Sequence, residues 1–410
     1  MADFSLESIF SPEIIQDPYP LYAQLRESNP VLELEEANLI VLTRYADCQQ
    51  TLRSKALGHV EDPRLTEEEI KERLQNPAIA SLRRTMLLKN PPDHTRLRTL
   101  VVKAFDARRV NAMRERIRRI AHKLIDGFIE QGSGDLVRLF NHPLPVIVIC
   151  DMLGIPPADQ AQFVQGTRIS GRLIDPTPMT PEELADANAR NLESAEYFGE
   201  LCAAREHDPQ DDLLTALVQS ETEHGKLTRD ELTANIGLLF AAGHETTVNL
   251  LGNALLALYR SRDQLTKLQQ DHSLLPNAVE EFLRYDSSVQ LSGRGALEDT
   301  EVAGIKVPKG RQVITLLAAA NRDPEQFSDP EQLKVTRKDV KPMSFGGGVH
   351  FCLGAQLARL EAAEALSVLF ERLPDLELDN ITEPNWKQTI TLRGLAELPA
   401  TWRPTQASQH

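Results

Sequence analysis

A single cysteine stands among glycines in Phe345-Gly346-Gly347-Gly348-Val349-His350-Phe351-Cys352-Leu353-Gly354. The run Ala355 to Leu373 that follows carries Leu357, Leu360, Ala363, Leu366 and Leu369 at helical spacing, and Pro374 stops it. Cys352 is therefore expected where a loop enters a helix, where free N–H groups and the dipole favour an anion. A sulfur held there is drawn toward thiolate, the form that binds metal. The glycines leave the backbone open to a flat ligand. Other chemistries compete for the same pattern. A lone cysteine is ordinarily a small buried hydrophobe. A phosphate loop would place Lys-Ser or Lys-Thr after its last glycine, and neither follows here. Zinc fits poorly: Cys48, Cys150, Cys202 and Cys352 lie far apart without a CxxC pair, and His350 alone cannot complete a tetrahedral set.

Three more groups of residues call for an explanation. The longest helical pattern, Leu232 to about Arg260, would span roughly 40 Å at 1.5 Å per residue. Its apolar face breaks at Ala241-Ala242-Gly243-His244-Glu245-Thr246-Thr247. Gly243 and the threonines are poor helix formers. A Thr246 hydroxyl bonded to the Ala242 carbonyl would bend the helix and open a polar notch; the plain reading is a kink with a solvated Glu245. His244 is expected to be packed or at the surface, not a ligand. Glu281 and Arg284, three residues apart, would form a weak bridge on any helix surface. Finally, Arg96, Arg98, Lys103, Arg108, Arg109, Arg114, Arg116, Arg118 and Arg119 are opposed only by Asp106 and Glu115 in their stretch. Such a run usually marks a solvated helix face.

The elements that position these groups are mostly helices. Thr66 with Glu69, and Thr180 with Pro181 and Glu183, are helix starts. Val31 to Glu36 and Leu39 to Thr43 read as a hairpin turning at Glu36-Ala37-Asn38. Val302 to Val307 and Gln312 to Leu317 read as a second strand pair around Pro308-Lys309-Gly310, and Gln388 to Leu398 as a further small sheet. The chain of 410 residues is 41% hydrophobic, ample for a buried core. The absence of a linker or repeat suggests one domain over 1–410. The acidic start Met1-Ala2-Asp3-Phe4-Ser5-Leu6-Glu7 carries no signal-peptide pattern, no run is long enough to span a bilayer, and four scattered cysteines suit a reducing compartment. A cytoplasmic protein that engages neither membrane nor nucleic acid is expected; the net charge of −15 argues against the latter.

The Phe-Gly-x-Gly-x-His-x-Cys-x-Gly pattern of residues 345–354 resembles the haem-binding loop of the cytochrome P-450 family, and further matches follow in the family's order. The resemblance runs from about Asp17 through Leu373. It implies the mainly α cytochrome P-450 fold with a small β-rich lobe (α+β), drawn mostly from residues 17–60, 286–320 and 385–400. Cys352 is then the iron ligand of haem b (iron protoporphyrin IX), in a loop that includes Phe345 and Gly346. His94, Arg98, Arg294 and His350 are the expected partners of the propionates, His94 and Arg98 sharing one helix face. Ala242-Gly243-x-Glu245-Thr246-Thr247 resembles the oxygen-activation motif, with Thr246 and Glu245 as catalytic proton carriers and Ala242 beside the cofactor. Glu281 and Arg284 become a buried structural brace, with Arg337 or Arg322 as third partner.

The same resemblance implies a monooxygenase that inserts one atom of O2 into a C–H or C=C bond of a small hydrophobic substrate, a secondary metabolite or lipid-like molecule. Electrons would come from a ferredoxin and an NAD(P)H-dependent ferredoxin reductase, and the protein would act as a monomer. Leu82, Met86, Leu238, Ala242, Val289 and Ile390 would line the pocket under a proline-rich lid at Asp175-Pro176-Thr177-Pro178. Lys103, Arg108 and Arg109 would receive the ferredoxin. A peroxide-driven enzyme would have no use for Glu245-Thr246. A non-catalytic haem gas sensor is the third reading.

Overall fold

The computed structural model describes residues 11–406 apart from 62, 106, 167–169 and 221–224. The readings of the first seven residues and of Asp106 lie outside the described residues. Seven helices position the site: α1 (Asp93–Ala104), α2 (Arg114–Asp126), α3 (Pro143–Leu153), α4 (Pro181–His207), α5 (Arg229–Arg260), α6 (Leu275–Tyr285) and α7 (Ala355–Arg372). Their starts are written locally. Thr180 and Thr228 close capping boxes with Glu183 and Glu231, and Pro181 takes the first turn of α4. Thr66 and Glu69 do the same for the short helix Glu67–Arg73. The Thr228 box starts α5 three residues before the apolar pattern does.

Helix α5 has 32 residues and buries side chains around most of its circumference, as a helix through the middle of a molecule must. Residues 241–247 stay helical, and the expected interruption of the buried face falls there: Ala242 is exposed, and Glu245 and Thr246 are half-buried. Gly243 also packs closely on α3: a Cβ there would lie 3.0 Å from Ile149 Cδ1, so the Ile149 side chain would have to give by a few tenths of an ångström. The bend-forming bond is nevertheless made, Thr246 Oγ1 donating to the Ala242 carbonyl at 3.2 Å.

Helix α7 packs its Leu357, Leu360, Leu366 and Leu369 face into the same core. With them goes Glu361, a buried carboxyl with neither oxygen hydrogen-bonded. Burial pushes it well above the ordinary carboxyl range, so the neutral form is the one that folds. Below pH 4.5, its usual value, both folded and unfolded chains keep the proton. Above that the unfolded chain releases it and the folded chain does not, which costs stability by about 1.4 kcal/mol per pH unit until the folded group also ionises. Glu361→Gln is expected to flatten this decline, raising the denaturation midpoint at pH 8 more than at pH 5. Equal shifts at both values would refute a neutral Glu361.

The strands are β1 (Val31–Leu34), β2 (Leu39–Leu42), β3 (Leu57–Gly58), β4 (Ser133–Asp135), β5 (Leu291–Ala296), β6 (Thr300–Val302), β7 (Ile305–Val307), β8 (Gln312–Leu316), β9 (Glu377–Leu378) and β10 (Pro399–Thr401). The main sheet has the order β1-β2-β8-β5-β3. The β1–β2 hairpin forms as expected, with Asn38 at φ +51 in its turn. Two expectations fail. Residues 302–307 do not form one strand opposite 312–317; Ala303 and Gly304 take positive φ and fold β6 back on β7. Strand β8 pairs with β2 and β5. Nor is 388–398 a sheet. It makes single bridges, Trp386 to Leu395 and Leu392 to Val289, while β10 just beyond it joins β4 and β9.

The expected arrangement, mainly helical with small sheets, is the one observed. No helix among the described residues is long and apolar enough to cross a membrane.

Candidate active site

The cysteine loop is shaped by its own backbone. Cys352 N–H donates to the Phe345 carbonyl at 3.0 Å, and Gly346 N–H to Met343 at 2.7 Å. Gly346 and Gly348 have φ of +69 and +64. At Gly348 a Cβ would also sit 2.1 Å from the Leu52 carbonyl oxygen, so a side chain is excluded twice over. The Phe345 ring lies under the Arg359 guanidinium at 4.5 Å, and Arg359 is in turn paired with Glu280 on α6.

Helix α7 begins at Ala355 with Gly354 as its cap. Cys352 thus precedes the helix instead of capping it, and the expected lowering by the dipole is outweighed. Burial raises the thiol, against lowering by the Gly354 N–H and by Arg98 and Arg359. Cys150 and Cys202 are pushed up to about 12, Cys150 with no lowering influence at all. Among the described residues no three His, Cys, Asp or Glu side chains are grouped to hold a metal. An ion at Cys352 would need its other ligands from a cofactor.

Beside the loop lies a concentration of nitrogen donors. The His350 ring is 4.3 Å from that of His94 and 4.9 Å from that of His59, centroid to centroid. His94 is buried on α1, and neither of its ring nitrogens has a partner; His59 Nε2 has none either. Arg98, one turn on, donates only to the Phe351 carbonyl at 2.6 Å. Arg294, buried on β5, reaches only Ser292 Oγ and the Gly293 carbonyl. Among the described residues, none of these five is paired with a carboxylate. Burial and mutual repulsion lower them together: His350 to about 2, His59 to about 4, and Arg294, by burial, to about 10. Buried donors without acceptors carry a free-energy cost that an anionic group would remove. The four expected residues are brought together here; His59 had no motif to mark it. It is held by reciprocal bonds with Asn90, His59 N–H to Oδ1 at 2.8 Å and Asn90 Nδ2 to the His59 carbonyl at 2.7 Å.

On α5, Ala242 is exposed and Glu245 and Thr246 are half-buried, while His244 and Thr247 are buried. His244 is packed: its Nδ1 meets the Phe240 carbonyl at 2.7 Å and burial lowers it to about 4. Of the expected pocket residues, Met86 is pinned to α5, its N–H donating to Asn235 Oδ1 at 3.0 Å. Leu82, Leu238 and Val289 are half-buried and Ile390 is buried. The proline-rich loop expected as a lid is tied to Ile390 by Asp175, whose carboxylate accepts from Ile390 N–H at 2.8 Å and Thr391 N–H at 2.9 Å.

Glu281 and Arg284 on α6 are fully buried and joined through Nε at 2.7 Å and an NH2 group at 2.8 Å. The third partner is Arg337, whose Nε is 3.0 Å from Glu281 Oε2. Arg322 goes elsewhere, to Glu331 and the Tyr285 carbonyl.

The basic stretch is largely neutralised from within. Arg96 pairs with Glu231, Arg114 and Arg118 with Glu364, and Arg116 with Asp151. Lys103 and Arg108 remain exposed, and Arg109 lies 3.6 Å from Asp211.

The sequence model of cytochrome P450, written here P-450, matches residues 194–389. Cytochrome P-450 133B2 of Xylella fastidiosa is 41% identical over 397 residues, covering 96% of this chain and 98% of its own. The chain belongs to the cytochrome P-450 family. The vitamin D(3) 25-hydroxylase of Pseudonocardia autotrophica is 40% identical, covering 97% of each chain. The crystal structure of the myxobacterial cytochrome P-450 CYP267B1, in complex with myristic acid, superposes with a TM-score of 0.87 at 36% identity, covering 97% of this chain and all of that one. This P-450 is accordingly a monooxygenase with a haem-thiolate cofactor.

The residues present fit that cofactor. Cys352 offers one sulfur in a loop that Gly346, Gly347 and Gly348 leave open, and the unpartnered ring nitrogens of His94, with His59 Nε2 and the Arg294 guanidinium, offer donors to an anion.

Proposed function

We propose that this P-450 would hold haem b with Cys352 as the iron ligand. His94, Arg98, Arg294 and His350, joined by His59, take the two propionates. The observation that carries this is the cluster of buried cationic and imidazole groups without a carboxylate beside the only cysteine in a glycine loop. When bound there, the haem supplies the oxidising power, thiolate ligation favouring O–O cleavage. The chain's own residues govern protons and access. Thr246, its hydroxyl hydrogen committed to the Ala242 carbonyl, keeps its oxygen lone pairs for a water at the distal side. Glu245 supplies protons to that point. Leu82, Met86, Leu238, Val289 and Ile390 exclude bulk water and hold an apolar substrate, and Glu281 and Arg284 brace the fold behind the loop.

The substrate is a small hydrophobic molecule, a lipid-like compound or secondary metabolite, oxidised at a C–H or C=C bond. The relatives that hydroxylate vitamin D(3) or bind myristic acid support that class. Electrons come from a ferredoxin and its NAD(P)H-dependent reductase, in the cytoplasm, to a monomer of one haem domain. Lys103, Arg108 and Arg109 form the docking face. Screening beyond about 8 Å lets a local cationic patch act despite a negative net charge.

NAD(P)H-dependent turnover with a surrogate ferredoxin system, myristic acid and vitamin D(3) tests the reading. Product should form only with the complete system, and Arg108→Glu should slow reduction by ferredoxin but not by dithionite. Thr246→Ala should keep haem and substrate binding while product per NAD(P)H falls about tenfold or more, the electrons appearing as hydrogen peroxide. Undiminished coupling in that variant would contradict the role of Thr246.

A further inference from the structure

Glu245 faces a lysine that no motif announces. Lys387 Nζ lies 3.9 Å from Glu245 Oε1 and donates to Asn249 Oδ1, one turn along α5, at 2.9 Å. This lysine is not a wandering surface side chain. Its N–H is bonded to the Gly394 carbonyl at 2.9 Å, next to the Trp386–Leu395 bridge. Burial lowers its pKa and the Glu245 charge raises it, so an ammonium at this depth leans on the carboxylate. Lys387 also borders a small cleft lined mostly by apolar side chains, Ile14, Ile15, Pro18 and Ile390 among them.

We propose that Lys387 is a positioning residue for Glu245: its ammonium, aimed by Asn249, holds the carboxylate where it can pass a proton toward Thr246. Each proton that Glu245 gives up is replaced by one from bulk water. The step restores the carboxyl group and moves no electron. The inference rests on Glu245 as proton carrier, and it adds the residue that places the acid.

Two measurements separate this from a structural tie. In competitive acetylation of lysines followed by mass spectrometry, Lys387 should label roughly tenfold faster in Glu245→Gln than in wild type, because losing a carboxylate at this range shifts a neighbour by about 1–3 pKa units. Unchanged labelling overturns the pairing. The second uses NAD(P)H oxidation with a surrogate ferredoxin system, in which O2 is reduced even without added substrate. Lys387→Met should lower kcat roughly tenfold, less than the hundredfold or more of losing a catalytic acid. It should leave KM for ferredoxin unchanged and enlarge the solvent deuterium isotope effect, and Lys387→Arg should restore both. Wild-type kcat and isotope effect in Lys387→Met overturn the proposal. If Glu245→Gln turns over at the wild-type rate, the proton-carrier reading of Glu245 fails first, and the labelling result still reports the pairing by itself.

Discussion

Glu281→Ala is expected to destabilise the folded protein by about 3–5 kcal/mol, the usual cost of removing one partner from a buried ionic group. The carboxylate accepts from Arg284 through Nε and an NH2 group, from Arg337 Nε and from the Lys334 backbone N–H at 2.9 Å. Arg284 is fully buried, and the Arg337 side chain is 8% exposed. Without Glu281 two guanidinium charges remain inside with only backbone carbonyls to face: Asn321, Pro330 and Gln332 for Arg284, Ser328 and Asp329 among others for Arg337. Those carbonyls satisfy N–H donors but not the net charge. Arg337→Ala should cost less, because Arg284 and Glu281 stay paired and neutral together. Urea denaturation reads both as shifts in midpoint at constant slope. A loss below about 1 kcal/mol for Glu281→Ala would contradict the brace, since exposed pairs lie in that range.

What could be read in the chain before its fold was known was local. Residues 345–354 and 242–247 carry their meaning in a fixed order of types, and the capping boxes at Thr66 and Thr180 need only three residues each. Glu281 and Arg284 are one helical turn apart, so spacing alone puts them side by side. Their third partner was ambiguous between Arg322 and Arg337, because the segment that delivers it is an irregular loop with no period. The same limit hid His59 and Lys387. Each reaches its cluster through a loop whose path depends on distant contacts: Asn90 for His59, Gly394 and Asn249 for Lys387.

Where a local reading failed, a competing local force is identifiable. The apolar run 302–307 has strand composition, yet Ala303-Gly304 in the left-handed region turns it within itself. Gly243 read as a weak point of α5 because propensity is blind to neighbours; a side chain there would press on Ile149 of α3. Helix position suggested a lowered thiol at Cys352; the Gly354 N–H, Arg98 and Arg359 do lower it, and desolvation raises it by more. The expected pocket residues carried no specific signal, since Met86 and Ile390 are buried like ordinary core residues.

The central claim is that Cys352 is the sulfur that binds the haem iron. It is half-buried in the glycine loop with Arg98 and Arg359 near it, whereas Cys48, Cys150 and Cys202 are buried. The most direct measurement is the absorption of the dithionite-reduced protein under carbon monoxide. Wild type, and variants with serine at Cys48, Cys150 or Cys202, should show the red-shifted Soret band of thiolate ligation. Cys352→Ser should lose that band altogether, even where circular dichroism shows the fold intact. A Cys352→Ser protein that keeps the band would contradict the account at its base.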